Sequence, residues 1–74
     1  QLVRAAQLNE KGVNYLQQGK NEQALSVFSE AYSLNPSIPD YSNNVGVALL
    51  NLNRPQDAIK YFIISGNTDK DYPR

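Results

Sequence analysis

The sequence predicts an all-α fold of two tandem antiparallel helix-turn-helix hairpins, with four helices in all. Three observations support this fold class. Apolar residues recur at spacings of three and four in four separate stretches, which is the periodicity of amphipathic helices. Proline, glycine and asparagine separate these stretches by only a few residues, and short connections make neighbouring helices antiparallel. The chain also repeats at an interval of 34 residues, the difference between positions 12 and 46, so that Gly12, Ala24 and Phe28 recur as Gly46, Ala58 and Phe62.

The first two helices have recognisable ends in the sequence. The first is predicted to run from about Arg4 to Gln18 and to end at Gly19, since glycine readily takes the left-handed conformation that closes a helix. Asn21 is expected to be the N-cap of the second helix, because its side chain can accept a backbone hydrogen bond there. That helix should stop before Pro36, since the residue preceding a proline avoids helical geometry.

Prolines mark the start of both helices of the second hairpin. The third helix is predicted to begin near Pro39 or Asp40, and the fourth at Pro55, because proline is tolerated in a first turn. A turn over residues 51–54 separates them, and Gly66 should end the fourth helix. Ala58, Ile59, Phe62 and Ile63 are expected to form the apolar side of that helix. Small residues (Gly12, Ala24, Gly46 and Ala58) should let paired helices approach, and Phe28 and Phe62 should fill the space between hairpins.

The order of these residues is similar to that of the tetratricopeptide repeat, in which a bulky residue is followed by Leu-Gly, Tyr, Ala, an aromatic residue and Pro. The first unit has Leu8, Lys11-Gly12, Tyr15, Ala24, Phe28 and Pro36, and the second has Val45-Gly46, Leu49, Ala58 and Phe62. The second unit departs from the pattern with Ser42 at the bulky position and Lys70 at the last proline. In the first unit, Lys11 replaces a leucine.

The resemblance implies two tandem repeats stacked as a segment of a right-handed α-solenoid. Repeat one would span about residues 5–38 and repeat two about 39–68, with 69–74 a polar tail or the start of a third repeat. We expect residues 1–74 to be a single domain and a fragment of a longer protein, because the chain begins at Gln1 rather than Met. Pro73 also follows Pro39 at the same interval of 34 residues, as if a third unit began there.

The composition argues against most catalytic and ligand-binding classes. The chain has no cysteine and no histidine, and its seven basic residues balance its seven acidic ones. It therefore lacks the commonest general base and metal ligands, and we expect no catalytic site, no cofactor and no metal. The sequence has no basic stripe of the kind that nucleic-acid binding requires. Apolar runs are too short for direct membrane insertion. A soluble protein is expected, and the absence of cysteine fits the cytoplasm and the periplasm equally.

The resemblance implies a non-catalytic protein-protein interaction module, a scaffold or adaptor that binds a peptide or partner segment in a concave groove. In this family the first helix of each pair lines that groove. Amide side chains offer both donors and acceptors to a peptide backbone, and valine or leucine would receive apolar side chains. The expected groove residues are Asn9, Val13, Gln17, Asn43, Asn44, Val47, Leu50 and Asn51.

Other functions stay open at this stage. Some family members clamp carboxylate-rich chaperone tails with lysine and asparagine side chains. Here Asn44 matches one clamp asparagine, but Asn9 replaces a lysine and Val13 replaces an asparagine. Ile63 and Ile64 replace residues that look solvated in the first unit, Ser29 and Glu30. They predict an apolar edge, and with it the alternative function of a structural spacer or self-assembly segment that forms a homo-oligomer through its C-terminal edge. A parent enzyme that uses the array to recruit substrates is also compatible with the sequence.

Overall fold

The computed structural model describes residues 2–66, which form four α-helices and no strand. The helices are α1 (Leu2–Gln17), α2 (Asn21–Leu34), α3 (Pro39–Asn51) and α4 (Pro55–Ile64). Hairpin 1 comprises α1 and α2, and hairpin 2 comprises α3 and α4. The predicted fold class is confirmed. The proposed tail at 69–74 and the last two residues of repeat two lie outside the described residues.

The helix ends follow from residues with unusual backbone preferences. Gly19 and Gly66 have φ angles of 76° and 91°, as expected of residues that close a helix in the left-handed region. Asn53 takes the place of Gly19 in hairpin 2, with a φ of 62°, and asparagine is one of the few other residues that tolerate this region. Pro39 and Pro55 each begin a helix, where their missing N–H costs no hydrogen bond.

The predicted role of Asn21 is wrong. Lys20 is the N-cap residue of α2, without a side-chain capping hydrogen bond, and Asn21 is the first residue of the helix. The side-chain carbonyl of Asn21 instead accepts a hydrogen bond from the Nδ2 of Asn51 at 3.4 Å. The N-terminus of α2 therefore has no side-chain cap, and Asn21 makes a contact between the two hairpins.

Each hairpin is closed by a phenylalanine ring against a glycine. Phe28 is fully buried, and a Cβ added to Gly12 would lie under 3.0 Å from three carbons of its ring. Phe62 has the same relation to Gly46. Each ring therefore occupies the volume of the missing side chain in its own hairpin, and Phe28 also belongs to the core cluster that includes Val45 and Ala48 of the other hairpin.

The two hairpins stack through α2 and α3. One core cluster unites Ala24 and Phe28 of hairpin 1 with Val45, Ala48 and Leu49 of α3. A second cluster joins Ala5 and Ala31 to Tyr41, and the Tyr32 and Tyr61 rings meet edge to face at 5.8 Å. Since each hairpin contributes one side of these clusters, the stack is a short solenoid with a continuous core.

Only part of the predicted apolar side of α4 is buried. Ala58 and Phe62 are buried, but Ile59 and Ile63 remain 51% and 64% exposed. The two isoleucines lie one turn apart on the side of α4 that faces away from α2. They correspond to Leu25 and Ser29, which lie between the hairpins.

Replacing Gly12 by Ala is expected to lower the free energy of unfolding measured in urea. Overpacking costs about 1–3 kcal/mol, and the roughly 1 kcal/mol that alanine gains over glycine in a helix offsets only part of it. In a Phe28→Leu background the same change should be neutral or stabilising, because the ring is gone while the helix gain remains. An equal loss in both backgrounds would contradict the Gly12–Phe28 contact.

Candidate functional site

A direct hydrogen bond joins the first helices of the two hairpins. The Nδ2 of Asn44 on α3 donates to the Oδ1 of Asn9 on α1 at 2.8 Å, and both side chains are half-buried. A pair of amides joined by one bond keeps one NH₂ group and one carbonyl for other partners. Within residues 2–66 the structure gives these remaining groups no protein partner. The pair therefore presents a donor and an acceptor side by side.

The predicted groove residues of α1 form a stripe that continues from this pair. With about 100° of rotation per residue, Asn9, Val13 and Gln17 follow one another along α1 at successive turns. Val13 is half-buried and packs against the core cluster, whereas Gln17 is exposed. The valine is thus the buried middle residue of the stripe, and an amide side chain lies one turn before it and one turn after it.

The α3 stripe has the same composition. Val47 is half-buried against the core cluster, as Val13 is, and Asn51 is exposed and bonded to Asn21. We refer to the surface made by Asn9, Val13, Gln17, Asn44, Val47 and Asn51 as the α1–α3 face. It is built of amides and two valines, and two amide bonds link it across the junction of the hairpins, Asn44 to Asn9 and Asn51 to Asn21.

Two of the predicted groove residues lie toward the other side of α3. Asn43 lines a cavity of about 200 Å³ with Pro39, Asp40 and Ser65. Leu50 is 46% exposed, although its counterpart in hairpin 1, Leu16, packs against the core cluster. The structure brings Asn9 and Asn44 together and leaves Asn43 and Leu50 on the side of α3 away from hairpin 1.

Asn21, the partner of Asn51, was not predicted as a neighbour of this surface, because a polar residue beside a turn looks like a cap. Its bond to Asn51 joins positions 30 residues apart. Only the stacking of one hairpin on the other brings them together.

Two acidic residues of the first helices lie beside the α1–α3 face. Glu10 and Asp40 are exposed beside the stripes, and the six residues that define the face include no lysine or arginine. Lys11 lies elsewhere on α1, with its ammonium 5.8 Å from the centre of the Tyr15 ring. The face therefore offers hydrogen bonds without a cation that would attract a carboxylate.

A second concavity of about 290 Å³ lies between α2 and α4. Its ionic groups are Arg54, Asp57 and Lys60, and the Arg54 guanidinium pairs with the Asp57 carboxylate at 2.9 Å. Lys60 also faces Asp57, at 3.9 Å. Because both cations pair with the Asp57 carboxylate, these groups offer little free charge with which to select a ligand.

Residues 2–66 contain no cluster of three or more metal-ligating side chains. Among the described helices, none has the length and apolar character needed to cross a bilayer.

Comparison with known proteins gives one finding. A family model described as the tetratricopeptide repeat matches residues 9–63, which include most of both hairpins. No curated protein and no solved structure matches the chain. The match begins at Asn9 and covers the whole α1–α3 face.

Asn9→Asp and Asn44→Asp should each change the free energy of unfolding by no more than about 0.5 kcal/mol. In either variant the remaining amide can still donate to the new carboxylate. The free energy of unfolding of the double variant should be about 1–3 kcal/mol lower at neutral pH, because two acceptors then face each other.

The loss in the double variant should shrink as the pH falls. Two adjacent carboxylates raise a pKa in the folded state above its unfolded value. The folded state then binds more protons, so the free energy of unfolding decreases as the pH rises through that range. Urea unfolding between acidic and neutral pH measures this, and additive losses that do not vary with pH would contradict the Asn9–Asn44 contact.

Proposed function

The chain belongs to the tetratricopeptide repeat family, and on that premise we propose that it is a non-catalytic binding module for an extended segment of another protein. Members of this family generally mediate protein-protein interaction. We place the bound segment on the α1–α3 face, as part of a scaffold or adaptor. The residues proposed to contact it are the six of that face, with Asn9 and Asn44 at its centre, and not the other two predicted groove residues, Asn43 and Leu50.

The observation that carries this proposal is the Asn9–Asn44 bond. An extended peptide presents alternating N–H and C=O groups along each side, and a neighbouring donor and acceptor can engage both. Because the two amides hold each other at 2.8 Å, little side-chain entropy is lost when a ligand binds. Val13 and Val47 lie beside the pair and would receive an apolar side chain.

The charge of the face indicates the class of peptide. Glu10 and Asp40 would repel a carboxylate-rich tail, and no lysine or arginine of the face would attract one. We therefore propose an uncharged or weakly basic segment, recognised through its backbone and through small apolar side chains. Such binding should change little with salt, since screening acts on charge pairs.

The wider organisation is also part of the proposal. We infer that the two repeats, about residues 5–38 and 39–68, belong to a longer array. The support is the uncovered apolar surface of α4, on which Ile59 and Ile63 are more than half exposed. A longer array would extend the α1–α3 face along the axis of the stack.

Selection from a random peptide library displayed on phage would test the proposed groove. The wild-type chain should enrich uncharged peptides with small apolar residues, and Asn9→Asp should lose most of that binding. The substitution preserves the bond from Asn44 but replaces the remaining donor by a charged acceptor. Binding by the selected peptides should be nearly equal at low and high salt.

Asn14→Asp is the matched control. Asn14 is exposed on the same helix, and five residues of rotation place it about 140° from Asn9. It receives the same change in charge without touching the α1–α3 face. Enrichment of acidic peptides, or equal binding by all three proteins, would reject the proposed groove.

A second function is favoured by a separate observation. Ile63 and Ile64 are 64% and 51% exposed, as the self-assembly alternative requires. If this chain acts as a structural spacer that dimerises through these residues, sedimentation should show a mass that rises with concentration, and Ile63→Ser with Ile64→Ser should return it to a monomer. A constant monomer mass for the wild type would exclude this alternative.

A further inference from the structure

The concavity between α2 and α4 has an apolar floor, and we call it the α2–α4 cleft. Val45 and Leu49 of α3 form this floor and are only 1% and 3% exposed. Leu25 of α2 is the third apolar residue of the lining, and it packs against the same core cluster. A molecule in the cleft would therefore contact side chains that the stacking of the hairpins already holds in place.

Tyr61 lines the α4 side of the cleft and joins α4 to α2 at one end. Its ring meets the ring of Tyr32 edge to face, with 5.8 Å between the ring centres. Tyr32 follows Ser29, another lining residue, by about one turn of α2. The cleft thus lies between this tyrosine pair and Arg54 at the start of α4.

A small residue at Ser29 contributes to the volume of the cleft. Its counterpart in hairpin 2, 34 positions later, is Ile63. The second helix of a hairpin therefore accommodates a large aliphatic side chain at this position. In hairpin 1 the serine leaves room and adds a hydroxyl to the lining, and Tyr61 adds a second hydroxyl.

The volume of the cleft indicates the size of a matching ligand. It is about 290 Å³, roughly twice the volume of about 150 Å³ of an apolar cavity that binds benzene. A ligand with the size of a bicyclic aromatic ring therefore matches the cleft.

The ionic groups at the rim favour a neutral aromatic ligand over an anion. Arg54 donates from Nε and Nη2 to the Asp57 carboxylate at 3.1 and 2.9 Å, and the Lys60 ammonium faces the same carboxylate at 3.9 Å. Asp57 thus offsets much of the attraction that these cations would exert on an anion. An aromatic ring can still receive them, since the negative face of its π-system attracts guanidinium and ammonium groups.

We propose that the α2–α4 cleft is a binding site for a neutral bicyclic aromatic ring of the size of indole. The ring lies on Leu25, Val45 and Leu49, and the hydroxyls of Ser29 and Tyr61 are available to its polar N–H group. Such a lining, mostly apolar with a few polar groups, is typical of small-molecule sites. The site is separate from the α1–α3 face and does not depend on peptide binding there.

Indole itself is the first probe. The chain contains no tryptophan, so indole fluorescence reports the probe alone when tyrosine is not excited. Titration with the wild-type chain should give a saturable blue shift, and the NMR signals of the Ser29 and Leu49 backbone amides should shift along the same curve. A response that does not saturate, or shifts confined to the exposed Ile59 and Ile63, would overturn the proposal.

Ser29→Ile should fill the cleft and weaken indole binding at least about tenfold. Ser26→Ile is the matched control, because Ser26 is exposed on the same helix and does not line the cleft. Its affinity for indole should equal that of the wild type, and equal affinities for all three proteins would overturn the site. Circular dichroism checks that both variants fold, and the wild-type NMR shifts decide the question if Ser29→Ile does not.

A matched pair of indole derivatives tests the neutrality of the ligand. Indole-3-acetate and indole-3-acetamide have nearly the same shape, but only the acetate is charged. The acetate should bind no more tightly than the acetamide. A preference of roughly tenfold for the acetate that disappears at high salt would overturn the neutral class and assign the cleft to anions.

N-acetyltryptophanamide separates the two sources of an indole ring. This neutral probe presents the ring on a peptide backbone, as a partner protein would. If it binds more tightly than indole, the cleft receives a tryptophan side chain, whereas binding by indole alone assigns the cleft to a free molecule. Either result supports the ring site, and no binding by either probe overturns it.

Discussion

The contact between a phenylalanine ring and a glycine backbone sets the geometry on which the rest of the molecule depends. Phe28 occupies the volume that a side chain at Gly12 would need, and Phe62 does the same at Gly46. With no Cβ between them, the two helices of a hairpin approach closely. Because the contact occurs twice at the same interval, the two hairpins have like shapes and can stack through α2 and α3.

That stacking divides the surface into three parts with different chemistry. The α1–α3 face carries amides that hold one another, at 2.8 Å between Asn44 and Asn9. The side of α1 that carries Gln7, Lys11 and Asn14 is polar and exposed, whereas the side of hairpin 2 that carries Leu50, Ile59 and Ile63 is apolar and exposed. In a repeat architecture, most exposed positions of one hairpin can be compared with a described counterpart in the other. Differences between counterparts then indicate function more clearly than exposure alone.

The sequence predicted the fold well because its signals are local. The prolines at helix starts and Gly19 and Gly66 at helix ends act within a few residues of their own positions, and the 34-residue recurrence shows that one local pattern occurs twice. What it did not predict depends on contacts between hairpins. The exposure of Ile59 and the Asn51–Asn21 bond are set only when the hairpins are assembled. For the candidate site, periodicity placed Asn9 and Asn44 on first helices, but it could not show that they bond to each other across 35 positions.

An NMR titration tests the central claim most directly, that the α1–α3 face is the binding surface. A peptide selected for binding to the wild-type chain would be added while the side-chain amides of Asn9 and Asn44 and the backbone amides of Ile59 and Ile63 are followed. We predict that the two side-chain amide signals shift together and saturate, while the signals from α4 stay in place. Shifts confined to α4, with Asn9 and Asn44 unchanged, would contradict the account.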